Sequence, residues 1–367
     1  MIKRLSMISV VLLSVSAINI SSCQPTGVID DLGTLGGDFS TGLGINKFGN
    51  VTGNSYKGTA GHSGVHAFLY VDGLGMIDVG ALPTGDISEG NGVNNNNFVV
   101  GGSFVFRTDS IPNAFIANST LDLTDIGTVD MYSYAWDIND RGQVTGEADA
   151  PASTNTHAFL WTRTDGLNDI GTLGGTQSAG RSINENGQIA GESKIRNDSA
   201  THAFRYTQGV GMVDLGTLGG KYSSAYGIND SGQVVGESST GFDNTTKFIF
   251  RDLTTSFLGT HAFLWTEGVG MIDLGHLGGG YSIATAINNN GVVVGYSKLM
   301  DGTEQPFRWT RGGGIINLNN LLPRGSGWVL NRAYDINDKG QITGGGVHNG
   351  KYRAFRLNPA PDPTVKP

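Results

Sequence analysis

Much that a chain of 367 residues ordinarily carries is missing here. A single cysteine, Cys23, excludes any internal disulfide. Charged residues make up 15% of the chain, well under the ~25% of an average domain, so the surface must be covered largely by Asn, Ser, Thr and Gly. The net charge is −8 and no basic block follows Arg4, which excludes the electrostatic footprint of a nucleic-acid partner. No segment shows the 3.6-residue apolar period of a long helix, and beyond Ala17 no apolar run approaches the ~20 residues that span a bilayer. Prolines number only 10, whereas glycine reaches 58, about twice its ordinary share of ~7%. Glycine without proline predicts many tight turns rather than disorder.

The N-terminus stands apart. Lys3 and Arg4 precede an apolar run from Met7 to Ala17 and then a polar stretch, the order of a secretory signal. Ile20-Ser21-Ser22-Cys23 resembles the lipobox of bacterial lipoproteins, in which the cysteine becomes the lipidated N-terminus. Cleavage after Val15-Ser16-Ala17 without lipidation is the alternative. Residues 1–23 are therefore read as a lipoprotein-like signal peptide with Cys23 as the lipidation site. The chain is expected to be exported, as an outer-membrane or cell-surface lipoprotein or in secreted form, touching membrane only through that anchor.

The rest of the chain is a repeat. The pattern Ile/Val-Asn-x-x-Gly-x-Val-x-Gly places its asparagine at Asn46, Asn94, Asn139, Asn184, Asn229, Asn288 and Asn337, with gaps of 48, 45, 45, 45, 59 and 49. A second landmark runs through Phe68, Phe115, Phe159, Phe204, Phe263, Phe307 and Phe355, mostly within "HAF". A third is Asp31, Asp78, Asp125, Asp169, Asp214, Asp273 and Asn317, in "DLGTLGG"-like segments. Each unit reads as four short strands, the first two joined by an Asn-x-x-Gly turn whose glycine takes a positive φ. Copy two has Asn97 there, the residue that tolerates this conformation best after glycine. The chain opens with a lone fourth-type strand from Val28 and closes with strands one to three, ending at Leu357. These complementary ends predict a ring: a seven-bladed, all-β propeller over 28–358, with four-stranded antiparallel blades, closed by pairing of the N- and C-terminal strands. A parallel β-helix is the competing architecture, and 359–367 reads as a flexible tail.

"GINDSGQVVGES", "HAFLW" and "GVGMIDLGTLGG" resemble the bacterial HAF repeat of predicted extracellular proteins, over residues 28 to 357. The resemblance implies an extracellular repeat protein and transfers no reaction.

Candidate chemistry is sparse. The third-strand histidines His66, His157, His202 and His261 would sit roughly 13 Å apart on neighbouring blades, too far to share a metal. They are expected to bond nearby backbone. Glu147, Glu192 and Glu237 follow the second-strand glycine in three consecutive copies, and their equivalence argues for a repeat role rather than a catalytic pair. The segments from Asp137 and from Asp335 echo a calcium loop, but Arg141 and Lys339 stand where an oxygen ligand belongs. No catalytic residue, metal or cofactor is expected, and the chain is expected to be a monomer. Specificity should lie where copies differ. The largest difference is an insertion in copy five, 22 residues between Ser238 and His261 against 8 in copies three and four. It carries Phe242, Lys247, Phe248, Phe250, Arg251 and Phe257 as candidate binding residues. The channel rim is the second candidate, where Arg107, Trp136, Arg181 and Trp328 are specific to single copies. The function this predicts is a non-catalytic binding or adhesion scaffold for an extracellular protein or glycan. The alternative is a secreted propeller enzyme, a polysaccharide hydrolase or lyase.

Overall fold

The structure, a computed structural model, describes residues 27–58, 64–83, 85–105, 111–127, 131–150, 153, 155–241 and 259–358. Cys23, the signal segment, Arg107, the copy-five candidates Phe242 to Phe257 and the tail lie outside the described residues.

The chain is a seven-bladed β-propeller of four-stranded antiparallel blades. Its seven innermost strands are Ser40–Ile45, Ile87–Val93, Ser133–Ile138, Gly174–Ile183, Gly219–Ile228, Ser282–Ile287 and Trp328–Ile336. Blade seven draws its inner three strands from the C-terminal end. Its outer strand is Val28–Asp31, which pairs antiparallel with Lys351–Asn358, Val28 opposite Asn358 and Asp31 opposite Phe355. The termini therefore close the ring, as their complementary strand content predicts.

Each landmark has a structural cause. The seven phenylalanines are completely buried, and the apolar core is divided into seven clusters, one at each junction between blades. Phe263 packs with Ala203 of the preceding blade, and Phe68 with Ala354 across the closure. The second-strand glycine is required by crowding: a Cβ on Gly191 would stand 2.0 Å from the Ala179 carbonyl oxygen and 3.0 Å from the Phe204 ring. Asn97 has φ 61°, in the region its glycine counterparts occupy.

The asparagine landmark does more than shape a turn. Asn184 Oδ1 accepts from the backbone N–H groups of Asn186 and Gln188, at 3.1 and 2.9 Å, which sets the local turn. Its Nδ2 donates to the carbonyl of Asn229, the same landmark one blade on, at 2.9 Å. Every copy repeats this second bond, at 2.9–3.1 Å, and Asn337 returns it to Asn46. Seven side chains thus form a closed circle of hydrogen bonds around the axis. The next residue adds a second circle with one break. Lys47 N–H donates to Asn95 and the sequence continues through Asp140, Glu185, Asp230 and Asn289 to Asp338. It stops there because Lys47 offers no acceptor.

The histidines do not bond backbone as expected. His66, His157, His202 and His261 each place Nδ1 2.7–2.9 Å from the landmark aspartate of their own blade, Asp78, Asp169, Asp214 and Asp273. In blade seven His348 takes that part with Asp31, at 2.7 Å. The pairing follows from the register: the phenylalanine two residues after each of these four third-strand histidines lies directly opposite the aspartate. The second and third landmarks are two halves of one contact.

Candidate functional site

A cavity of about 530 Å³ lies on the propeller axis, within the ~300–1,000 Å³ common for ligand sites. One local feature builds it. In each blade the pairing of the first two strands slips by one residue, three positions before the landmark asparagine. A β-bulge of this kind re-aims the extra side chain. Here the extra residues are Leu43, Asn91, Trp136, Arg181, Tyr226, Thr285 and Tyr334, and all seven line the cavity. The position before it is Gly or Ala in every blade, whereas this position holds six different residue types. It is the place where the repeat ceases to be one.

Blades three to five supply a charged, aromatic wall. Arg181 lies over the Trp136 ring, 4.4 Å from its centroid. Its Nη2 donates to Glu192 at 2.6 Å and its Nη1 is 3.6 Å from Glu147. Trp136 Nε1 donates to Glu147 at 3.3 Å, and Tyr226 donates its hydroxyl to Glu237 at 2.7 Å. Tyr134, packed on Trp136, bonds Glu89. The glutamates sit behind the bulged residues and hold their polar ends. Burial, with the charge of Glu192 nearby, pushes Glu237 above the usual carboxylate range despite the Tyr226 hydroxyl, while Glu192 is ion-paired. The three glutamates, equivalent in the repeat, are therefore unequal in setting, contrary to what their spacing implied. Across the axis Leu43, Ile283 and Ala286 form an apolar wall, with Tyr296 and Tyr334 beside them.

Toward the asparagine circle the cavity floor carries two carboxylates. Asp137 and Asp335 occupy the position after the bulge, where the other blades have Gly44, Gly92, Ser182, Gly227 and Ala286. Asp137 accepts from the N–H of Ile183 and the hydroxyl of Ser182 in blade four, both at 2.9 Å, and from Ile138 N–H at 2.8 Å. Asp335 accepts from the N–H of Ile45 in blade one and of Ile336, both at 2.8 Å. Burial pushes Asp137 up to about 6 and Asp335 up to about 7, the latter helped by the charge of Asp137. The faint calcium-loop echo is neither loop nor turn chemistry at its first residue, which crosses to the neighbouring blade. Among the described residues no group of three or more His, Cys, Asp or Glu is placed to hold a metal.

Of the rim residues singled out in the sequence, Trp136 and Arg181 meet in the cavity wall. Trp328 does not: it stacks on His348, centroids 4.5 Å apart and 3° from parallel, inside the core of blade seven. Tyr226, Tyr334, Asn91, Leu43 and Thr285 were missed. Comparing copies column by column at the position three before the asparagine would have found them.

Of the comparisons with known proteins, the one with puromycin hydrolase supports the fold. A family described as a protein of unknown function (DUF3466) matches residues 217–354. No curated protein matches the chain. Puromycin hydrolase is similar at 11% identity and a TM-score of 0.50, over 89% of this chain and 55% of its own. TolB from Acinetobacter baumannii matches at 11% identity and a TM-score of 0.48, over 85% of this chain and 63% of its own. Acylaminoacyl peptidase from Pyrococcus horikoshii matches at 12% identity and a TM-score of 0.48, over 84% and 49%. The chain spans less than two thirds of each of these proteins, and at such identities the likeness concerns architecture alone.

Proposed function

We propose that the chain is an exported, non-catalytic recognition module that takes part of an extracellular glycan or protein into its axial cavity. The observation that carries this reading is the bulged column: a repeated scaffold presents a different side chain from nearly every blade at one place, and all seven line a common space. Aromatic faces beside a few oriented polar groups are the ordinary composition of a small-ligand site. The N-terminal signal pattern supports export. The test is a glycan array followed by calorimetry of any hit. Trp136→Ala should weaken binding ~tenfold or more, the size of one stacked contact, and Arg181→Ala should weaken it by releasing the Trp136 ring and Glu192 that the guanidinium holds. A hit that both variants bind as wild type does removes the cavity from consideration.

A second reading has one observation in its favour. Glu192 and Glu237 occupy unequal environments, as acid and base partners must. A hydrolase or lyase acting on a polysaccharide would show turnover in a polysaccharide panel, abolished by Glu237→Gln. Turnover unchanged in that variant would dismiss this assignment.

A further inference from the structure

Resting on the reading of the axial cavity as a binding site, we infer that its ligand carries a protonated amine directed at the carboxylates of Asp137 and Asp335. The sign of the surroundings comes first. Among the described residues, the guanidiniums beside the floor aspartates and the glutamates behind the wall are those of Arg181 and Arg332. Arg181 is already shared between Glu192 and Glu147, and Arg332 is taken by Glu304 at 2.6 Å. Among the described residues of this wall, both guanidiniums are thus engaged by carboxylates rather than held for an anionic ligand. The protein's own arginines show what the wall favours. Arg181 over Trp136 and Arg332 over Tyr296, 4.5 Å from its centroid, each combine an aromatic face with a carboxylate. The cavity offers both elements again, lined by Tyr226 and Tyr334 as well as by the two aspartates.

The floor supplies the direction. Asp137 and Asp335 belong to blades three and seven, nearly opposite each other in the ring, and both are partly open to the cavity although deep in the molecule. Their donors, Ile138, Ile183 and Ser182 on Asp137 and Ile45 and Ile336 on Asp335, leave part of each carboxylate's accepting capacity unfilled. Two like charges facing one cavity are relieved by a cation between them. An ammonium group reaching either carboxylate brings three rotatable donors to it and lies in the field of the other, while its carbon body meets Leu43, Ile283 and the tyrosines of the wall. An amino sugar or a cyclic alkylamine has this shape.

The experiment is calorimetry on the purified full chain with two matched sets of probes: glucosamine, glucose and glucuronate; cyclohexylamine, cyclohexanol and cyclohexanecarboxylate. The amine of each set should bind ~tenfold or more tighter than its neutral counterpart, the increment of a charge-assisted hydrogen bond, and the carboxylate weakest. Asp335→Asn and Asp137→Asn keep the side-chain shape and one of the two accepting oxygens, leaving one backbone N–H opposite the new amide NH₂. Each should erase most of that preference, the amine falling to within about threefold of its neutral counterpart measured on the same variant, with unchanged circular dichroism showing an intact fold. Neutral or acidic probes binding as well as the amines would overturn the inference and leave the cavity standing as a site. An amine preference that survives both substitutions would overturn it too. Absence of binding by all six at millimolar concentration would overturn both this inference and the cavity reading beneath it.

Discussion

Replacing Asn184 with aspartate exchanges one NH₂ group for an oxygen, at a buried position of the asparagine circle. The accepting half of the residue is kept, so the bonds from Asn186 and Gln188 N–H survive. The donating half is lost, and with it the bonds to the Asn229 carbonyl and to Gln188 Oε1, both 2.9 Å. Gln188 can turn its amide and donate instead. The Asn229 carbonyl cannot, and faces a carboxylate oxygen. One unpaired buried acceptor costs ~1–3 kcal/mol, and desolvating the new charge adds to it, so a loss of ~2–4 kcal/mol at pH 7 is expected. A protonated carboxyl could donate to Asn229 again. The loss should therefore shrink by about half or more at pH 4, where burial and the adjacent carbonyl keep the new acid neutral. Urea denaturation of wild type and variant at both pH values measures this. A loss at pH 7 below ~0.5 kcal/mol, or an equal loss at both pH values, would show that the circle contributes shape and no cohesion.

Other parts of the account are open to equally direct tests. Phe204→Ala empties a completely buried position between blades three and four and should cost ~3–5 kcal/mol in chemical denaturation; a cost below ~1 kcal/mol would deny that the junction clusters hold the ring. Gly191→Ala forces a methyl against the Ala179 carbonyl and should destabilise by ~1–3 kcal/mol or more, whereas a neutral result would refute the crowding argument. Deleting residues 28–33 removes the strand that closes blade seven and should lower the melting temperature markedly; unchanged melting would argue against closure by the termini. Asp335 is raised to about 7 in the folded chain, against ~3.9 unfolded, so the unfolded state binds fewer protons between pH 4 and 7 and wild-type stability falls as pH rises through that window. Asp335→Asn lacks this term, and its melting temperature should gain on wild type from pH 4 to 7; parallel melting curves would contradict the assignment.

The architecture was legible because its rules are local. A glycine forced to positive φ, a phenylalanine two residues past a histidine and an asparagine opening a turn recur at a fixed period, and complementary ends imply a ring. What lay across a strand or a blade was hidden. Asn184 Nδ2 reaches a residue 45 positions away. His202 meets Asp214 only once two strands pair in register. The bulge that turns Arg181 and Tyr226 inward depends on strand pairing, which no single strand encodes. Trp328 is the opposite case: uniqueness to one copy suggested the rim, yet its ring fills a gap beside His348 and Phe355. Difference between copies marks a site only when the backbone aims the differing residues at shared space.

That principle sets the axial cavity against the copy-five insertion as the place of recognition. One comparison decides between them: the affinity of a single ligand, found on the array, for wild type, for Trp136→Ala/Arg181→Ala, and for a chain in which residues 241–259 are replaced by the linker of blade four. The cavity variant should lose binding by ~tenfold or more, since Trp136 and Arg181 touch and act as one unit, while the linker variant binds as wild type does. Binding kept by the cavity variant and lost by the linker variant would contradict it.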